Sequence, residues 1–277
     1  SSENFSFGPL NTPKGRIYCL FKVIKTEQGL LLSMNESLLD STLQKLGKYA
    51  AFFKCELKEE TSYRAYGFTS LHAQDYDLLL EKKSLSKASL SALNEEGNIT
   101  WLNISSHHRI GELWINQSDT SSSSLPAPLK SASTINLAHW HALETKCGIP
   151  ALYDSSQEEF ILQYLNLQHL GAVSFKKGCY TGQEIIARMK FLGKQKKQTY
   201  LLHSDMQNTQ TPLSPVYDQE GKKCGTLIRS HFVNECGSFA LAILPTEAAL
   251  SYSSVYLDED LKVAFLVSEI DYSEFKK

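Results

Sequence analysis

Apolar and polar positions follow two rhythms along the chain, and the change between them divides it. Arg16-Ile17-Tyr18-Cys19-Leu20-Phe21-Lys22-Val23-Ile24 is β-branched and aromatic, Glu27-Gln28-Gly29 supplies a turn, and Leu30-Leu31-Leu32-Ser33-Met34 resumes the apolar run. This predicts a hairpin. Asn35 can cap a helix running to about Tyr49, with Leu38, Leu39, Leu43 and Leu46 at helical spacing. Strand and helix signals then alternate at 63–70, 73–82, 87–96, 99–105 and 112–117. The stretch 118–131 breaks the pattern: six serines and two prolines, with only Asp119 and Lys130 charged, read as a surface connection. A helix is expected over 134–145, stopped by Cys147-Gly148-Ile149-Pro150. Beyond Gln198 the helical rhythm disappears. Short strand signals at 200–203, 224–232, 238–244, 255–258 and 263–267, punctuated by Pro212, Pro215, Gly221 and Gly237, predict an all-β domain, either a small barrel or a sandwich.

Composition narrows the function classes. The chain has 277 residues, 28 basic against 30 acidic, and 42% apolar side chains, as expected of a folded protein of two or three domains. A net charge of −2 does not describe a generally basic nucleic-acid binder. No apolar run approaches the length of a membrane span, and 1–20 lacks the pattern of a signal peptide. The absence of an initial Met marks processing or a shortened piece. Six cysteines lie far apart with no C-x-x-C pair, which points to a reducing cytoplasm rather than a disulfide framework. His139 and His141 face different sides of a helix, and His107 and His108 are adjacent; neither spacing suits a shared metal, so none is expected.

The segment that carries chemistry is Ser174-Phe175-Lys176-Lys177-Gly178-Cys179-Tyr180-Thr181-Gly182-Gln183-Glu184-Ile185-Ile186-Ala187-Arg188. It describes a tight turn feeding a helix. Thr181 and Glu184 have capping-box spacing, which starts the helix just after Thr181, and helix capping alone explains both residues. Gly178 and Gly182 permit a sharp turn and close approach to the backbone. Glu184 and Arg188 can pair on the helix surface. Cys179 would lie near the positive end of the helix dipole, after Lys176 and Lys177, a setting that favours a thiolate; a buried cysteine acting as a small apolar residue is the plain alternative. Tyr180 can pack, or stack on a planar ligand. Charge is concentrated here: 176–197 carries +6 and the rest of the chain −8. A patch of this kind can hold an anionic ligand, a phosphate backbone or an acidic partner. Against a nucleic-acid platform, only Phe191 interleaves the cations of 190–197.

Lys177 to Glu184, followed by Ala187-Arg188, resembles the signature of the YgfZ family, folate-binding relatives of the glycine-cleavage T-protein (aminomethyltransferase). Pro13-Lys14-Gly15-Arg16 is similar to that family's early turn, Trp140 to Pro150 to its helix ending in Gly-x-Pro, and 166–175 to its lead-in to the motif. The resemblance implies an α+β fold: two ferredoxin-like α/β domains and a C-terminal antiparallel β-barrel in a ring. The first α/β domain would be discontinuous, 1–50 with 128–193, the second 51–127, and the barrel 194–277. It further implies a cytoplasmic accessory protein without independent turnover that binds tetrahydrofolate or a derivative. Such a protein supports assembly or repair of iron–sulfur enzymes, including tRNA-modifying ones. Cys179 would be the functional thiol, and Lys177, Gly178, Tyr180, Gln183, Glu184 and Arg188 would surround the folate. The implied partners are folate, iron–sulfur proteins or their assembly factors, and a weak tRNA contact, with no membrane.

Two departures bear on this expectation. Family members carry a further strand and helix before the Lys14-Gly15-Arg16 turn, so a piece of the first domain is expected to be missing here. T-protein enzymes carry a glutamate that grips the pterin two residues before the Gly148 position, where this chain has Lys146, with Glu144 two residues earlier. Lysine only donates hydrogen bonds, so it would not serve the same ring donors. That weighs against the alternative activity, tetrahydrofolate-dependent aminomethyl transfer.

Overall fold

The hairpin expected near the start of the chain forms, and a strand that the pattern reading passed over precedes it. The computed structural model describes residues 5–26, 29–82, 91–95, 99–117, 125, 127–175, 178–191, 193 and 195–275. Strands β1 (Phe5–Asn11), β2 (Ile17–Thr26) and β3 (Gly29–Ser33) make a three-stranded sheet in that order, β2 and β3 antiparallel. Helix α1 (Leu39–Phe53) follows a single 3₁₀ turn over Glu36–Leu38. Asn35 Oδ1 opens that turn by accepting from Ser37 N at 3.0 Å. The expected cap is therefore present, one short turn ahead of the helix.

Strand β4 (Tyr63–Thr69), helix α2 (Ala73–Lys82) and strands β5 (Ser91–Glu95), β6 (Ile99–Ser105) and β7 (Ile110–Asn116) come next. They build an antiparallel sheet in the order β4-β7-β6-β5. Tyr76 and Leu80, one helical turn apart on α2, bury themselves with Phe68, Trp101, Leu113 and Ile115 of the sheet. Tyr76 Oη donates to Asn103 Oδ1 at 3.1 Å, so the phenol enters this core with its polar end satisfied. Most of the serine-rich 118–131 lies outside the described residues; its end forms the single turn α3 (Ala127–Lys130).

Helix α4 (Leu137–Lys146) starts at Asn136, whose Oδ1 accepts from His139 N. A long irregular stretch of turns leads to helix α5 (Gln183–Phe191). Strands β8 (Lys197–Ser204), β9 (Pro215–Tyr217), β10 (Lys223–Val233), β11 (Gly237–Pro245), β12 (Val255–Tyr256) and β13 (Ala264–Ser268) then close into a barrel in the order β10-β11-β8-β13-β12-β9. Of barrel and sandwich, it is the barrel. Its interior holds Leu202, Val216, Leu227, Ala240, Ala242, Leu244, Val255 and Phe265. The fold is thus mixed α and β, with separate antiparallel sheets and a closed C-terminal barrel, as the resemblance implied.

The chain divides into two compact units. One takes the start of β1, Lys22–Ser33 and Leu39–Ile135; the other takes Phe7–Phe21, Met34–Leu38 and the chain from Asn136 onward. The motif, the Lys14-Gly15-Arg16 turn, α4 and the barrel all belong to the second.

Candidate functional site

The motif is held by a contact between two glycines far apart in sequence. Thr12 O accepts from Gly15 N at 2.9 Å and Thr12 N donates to Arg16 O at 2.8 Å, closing a tight turn in which Gly15 has φ +72°. Gly182, with φ +81°, lies directly on this turn: a Cβ there would stand 2.6 Å from Thr12 O and 3.1 Å from Gly15 Cα. Both glycines therefore supply a left-handed backbone, and Gly182 also a close approach that any side chain would prevent. Arg16 extends the anchor, its Nη1 donating to the Glu158 and Glu159 carbonyls at 2.9 Å.

Helix α5 starts at Gln183, one residue later than the Thr181–Glu184 capping box predicts. The turn closes instead through Gln183, whose backbone N donates to Tyr180 O at 3.1 Å while its Oε1 accepts from Tyr180 N at 3.2 Å. The left-handed Gly182 displaces the helix start, because its backbone cannot form the first helical residue. Gln163 fixes the helix from below, donating through Nε2 to Ile186 O at 2.7 Å.

This frame places the expected residues as follows. Cys179 is exposed, four positions before the helix, and Gly178 is exposed beside it. A side chain at Gly178 would meet nothing within 4 Å, so of the two motif glycines only Gly182 is sterically required. Glu184 and Arg188 are exposed, and among the described residues no ion pair joins them. Lys177 lies outside the described residues. Tyr180 is half-buried, and burial raises its phenol above the ordinary value, keeping it protonated.

Tyr180 and Thr181 also line a cavity of about 270 Å³ with Pro9, Leu10, Asn11, Ala172 and Val173. The Asn11 side chain is buried, and its Oδ1 has no hydrogen-bond partner among the described residues. A buried amide oxygen left unpaired is costly unless something else satisfies it. The pattern reading missed the residues of β1 and the pair Ala172–Val173. Alternation of buried Phe5 and Phe7 around exposed Ser6 was the available signal for β1; nothing in the spacing signalled Ala172 and Val173.

The Gly-x-Pro end of α4 is a second built feature. Ile149 N donates to Glu144 O at 3.0 Å and Gly148 N to Thr145 O at 2.9 Å, with Gly148 at φ +70°: a Schellman C-cap. Glu144 points inward, where its Oε2 meets Arg229 Nη2 of β10 at 3.4 Å and His141 Nδ1 at 3.1 Å. Arg229 further donates through Nη1 to Ile149 O at 3.3 Å and through Nε to His231 Nε2 at 3.1 Å. Lys146 Nζ sits 4.1 Å from the centroid of the Phe239 ring. The Glu144 carboxylate and the Lys146 ammonium are thus both engaged by side chains of this chain.

Burial, reinforced by Arg229 and His141, pushes the His231 imidazole from 6.5 down to about 3. His231 is therefore neutral when folded, as accepting from Arg229 requires, while the unfolded chain takes up its proton near pH 6.5. The unfolded state binds more protons between these values, so this contribution to stability is present above pH 6.5 and lost as pH falls toward 3. Thermal melts between pH 7.5 and 4 should show a smaller acid-induced fall for His231→Gln than for the wild type; equal falls would remove His231 from the account.

No family model matches the chain. It is 27% identical over 269 residues to "tRNA-modifying protein YgfZ" of Aliivibrio fischeri strain MJ11, covering 94% of this chain and 76% of that protein. The protein of the same name from Colwellia psychrerythraea strain 34H is 26% identical over 257 residues, 90% of this chain and 76% of the relative. That of Klebsiella pneumoniae strain 342 reaches 30% over 190 residues, 68% of this chain and 57% of the relative. Over most of its length the chain is similar to the YgfZ proteins.

This YgfZ-like chain also shares the fold of glycine cleavage system aminomethyltransferase T from Bartonella henselae. The TM-score is 0.71 at 13% identity, covering 97% of this chain and 75% of that one. Among the described residues no group of three or more His, Cys, Asp or Glu could hold a metal ion. None of the described helices is long and apolar enough to cross a membrane.

Proposed function

We propose that this chain is a folate-binding accessory protein of the YgfZ family supporting assembly or repair of iron–sulfur enzymes, including tRNA-modifying ones, with Cys179 as its functional thiol. The observation that carries the reading is the juxtaposition, on one glycine-locked turn, of exposed Cys179 with Tyr180, which lines the adjacent cavity. A reduced folate would supply one-carbon chemistry at its N5 and N10 atoms. The residues present fit part of it. At about 270 Å³ the cavity is smaller than pockets that enclose drug-sized ligands, which run from about 300 Å³. It suits the bicyclic head and leaves the acidic tail to the surface, where Arg188 is exposed; Lys177, the first residue of the motif, is the second proposed partner of that tail. Tyr180 offers a protonated phenol beside a ring face, and Asn11 an amide whose unpaired oxygen can accept from ring N–H groups. Gln183 is spent in holding the Tyr180 backbone, which makes it a positioning residue. Gly178 and Glu184 would contribute exposed surface beside the thiol. Folate, iron–sulfur proteins or their assembly factors are the proposed partners, in a reducing cytoplasm.

The aminomethyltransferase alternative gains no support from α4, because Glu144 is engaged by Arg229 and Lys146 by Phe239.

The test is alkylation of Cys179 in a Cys55→Ser, Cys236→Ser background, since those two thiols are also exposed. Saturating tetrahydrofolate should slow Cys179 alkylation several-fold, and Tyr180→Ala should weaken that protection. In cells, Cys179→Ala should lower iron–sulfur enzyme activity. An alkylation rate indifferent to folate defeats the ligand reading; unchanged enzyme activity defeats the role of the thiol.

A further inference from the structure

Two aromatic side chains separated in sequence by the whole cysteine motif meet on the surface. Phe175 precedes the motif and Phe191 ends α5; their ring centroids lie 6.2 Å apart, edge to face at 76°. Lys190 Nζ stands 3.6 Å from the Phe175 centroid and 5.4 Å from that of Phe191. Phe175 is half-buried, whereas Phe191 is 69% exposed. The exposed ring is thus braced by a neighbour that is itself covered by an ammonium group. Holding it in place in the free protein lowers the ordering cost of stacking something on it.

Further cations flank this ring along the chain: Arg188 lies three positions before it on α5, and Lys196 and Lys197 lead into β8. Arg188, Lys196 and Lys197 are exposed, and none of them enters an ion pair among the described residues. Glu184 is the only acid between Phe175 and Lys197. An open π-face flanked by cations matches a chain in which flat bases alternate with phosphates. An acidic protein surface would answer the charge without the regular alternation of flat ring and anion that a nucleic-acid strand offers.

We propose that this surface binds single-stranded RNA, one base stacking on Phe191 and phosphates meeting Arg188, Lys196 and Lys197. The site goes beyond the folate reading and does not require folate to be bound; the choice of RNA rests on the proposed link to tRNA modification.

Fluorescence anisotropy of the full chain with a labelled, unpaired RNA oligonucleotide tests it. Affinity should fall with salt at a log–log slope of about −2, as three phosphate contacts on a single strand require. Phe191→Ala should weaken binding about 5- to 100-fold, the worth of one stacked base, while Phe191→Trp retains it. Arg188→Gln with Lys196→Gln should flatten the salt slope by about 1.4. The charge pair leaves the aromatic packing intact, so it carries the test if Phe191→Ala fails to fold. Absence of salt-dependent binding, or full affinity in both Phe191→Ala and the charge pair, overturns the proposal. So does a polyglutamate peptide that competes as well as RNA and depends equally on Phe191, which would mark an acidic-protein surface. Folate protection of Cys179, measured on the same variants, reads the folate site separately, so either reading can fail alone.

Discussion

Replacing Arg229 by Met is expected to destabilise the barrel-bearing unit by about 3–5 kcal/mol, because it strands the buried Glu144 carboxylate. Arg229 is 2% exposed and Glu144 6%, so water cannot take over the lost partner. The guanidinium binds Glu144, the Ile149 carbonyl just past α4 and His231 of its own strand together, so one change opens three contacts. Adding Glu144→Leu should recover most of the loss: with both charges gone, no buried charge is left without a partner. Hydrogen exchange of α4 and β10 amides is the appropriate measurement, since a two-unit chain need not unfold in one transition. Protection in the double variant no better than in Arg229→Met would show that the pair is not the source of the effect.

Gly182→Ala is the second large effect expected, at about 2–4 kcal/mol from a left-handed non-glycine residue together with overpacking. The new methyl would meet Thr12 O, the same oxygen that receives Gly15 N, so relief of the clash opens the Thr12–Arg16 turn. Because this turn supports the position of Tyr180, folate protection of Cys179 should be lost along with stability. Gly178→Ala is the control within the same motif: its methyl meets nothing within 4 Å. Chemical denaturation of the two variants should separate them by most of the stated amount. Near-equal midpoints would mean that the glycine contact does not hold the site.

These two residues illustrate different degrees of legibility. The motif around Cys179 stands in the sequence as a turn feeding a helix, and its long ungapped match to a family signature pointed to a T-protein-like fold. The glycines looked equivalent there. What distinguishes Gly182 from Gly178 is the Thr12–Arg16 turn, brought against it from the other side of the second unit's sequence. Glu144 and Lys146 likewise looked like a shifted and a reversed ligand position. The side chains of β10 and β11 give each another occupation, Arg229 for the carboxylate and Phe239 for the ammonium.

The sequence by itself determined what depends on near neighbours. Alternation and helical spacing marked the β2–β3 hairpin, α2, α4 and the main barrel strands, because a strand or helix face must match its burial period wherever it packs. Composition also located the concentration of positive charge around the motif. Only the tertiary structure decided whatever rests on residues distant in the chain. The strand pattern left barrel and sandwich open, because closure depends on β13, β12 and β9 pairing in turn between β8 and β10. The tertiary structure brought Asn11 to the cavity beside Tyr180 and Phe175 to Phe191, turning a lone exposed ring into a braced one. The physical reason is that periodicity records which face of an element is buried, while the identity of the group that buries it is fixed only when the chain closes on itself.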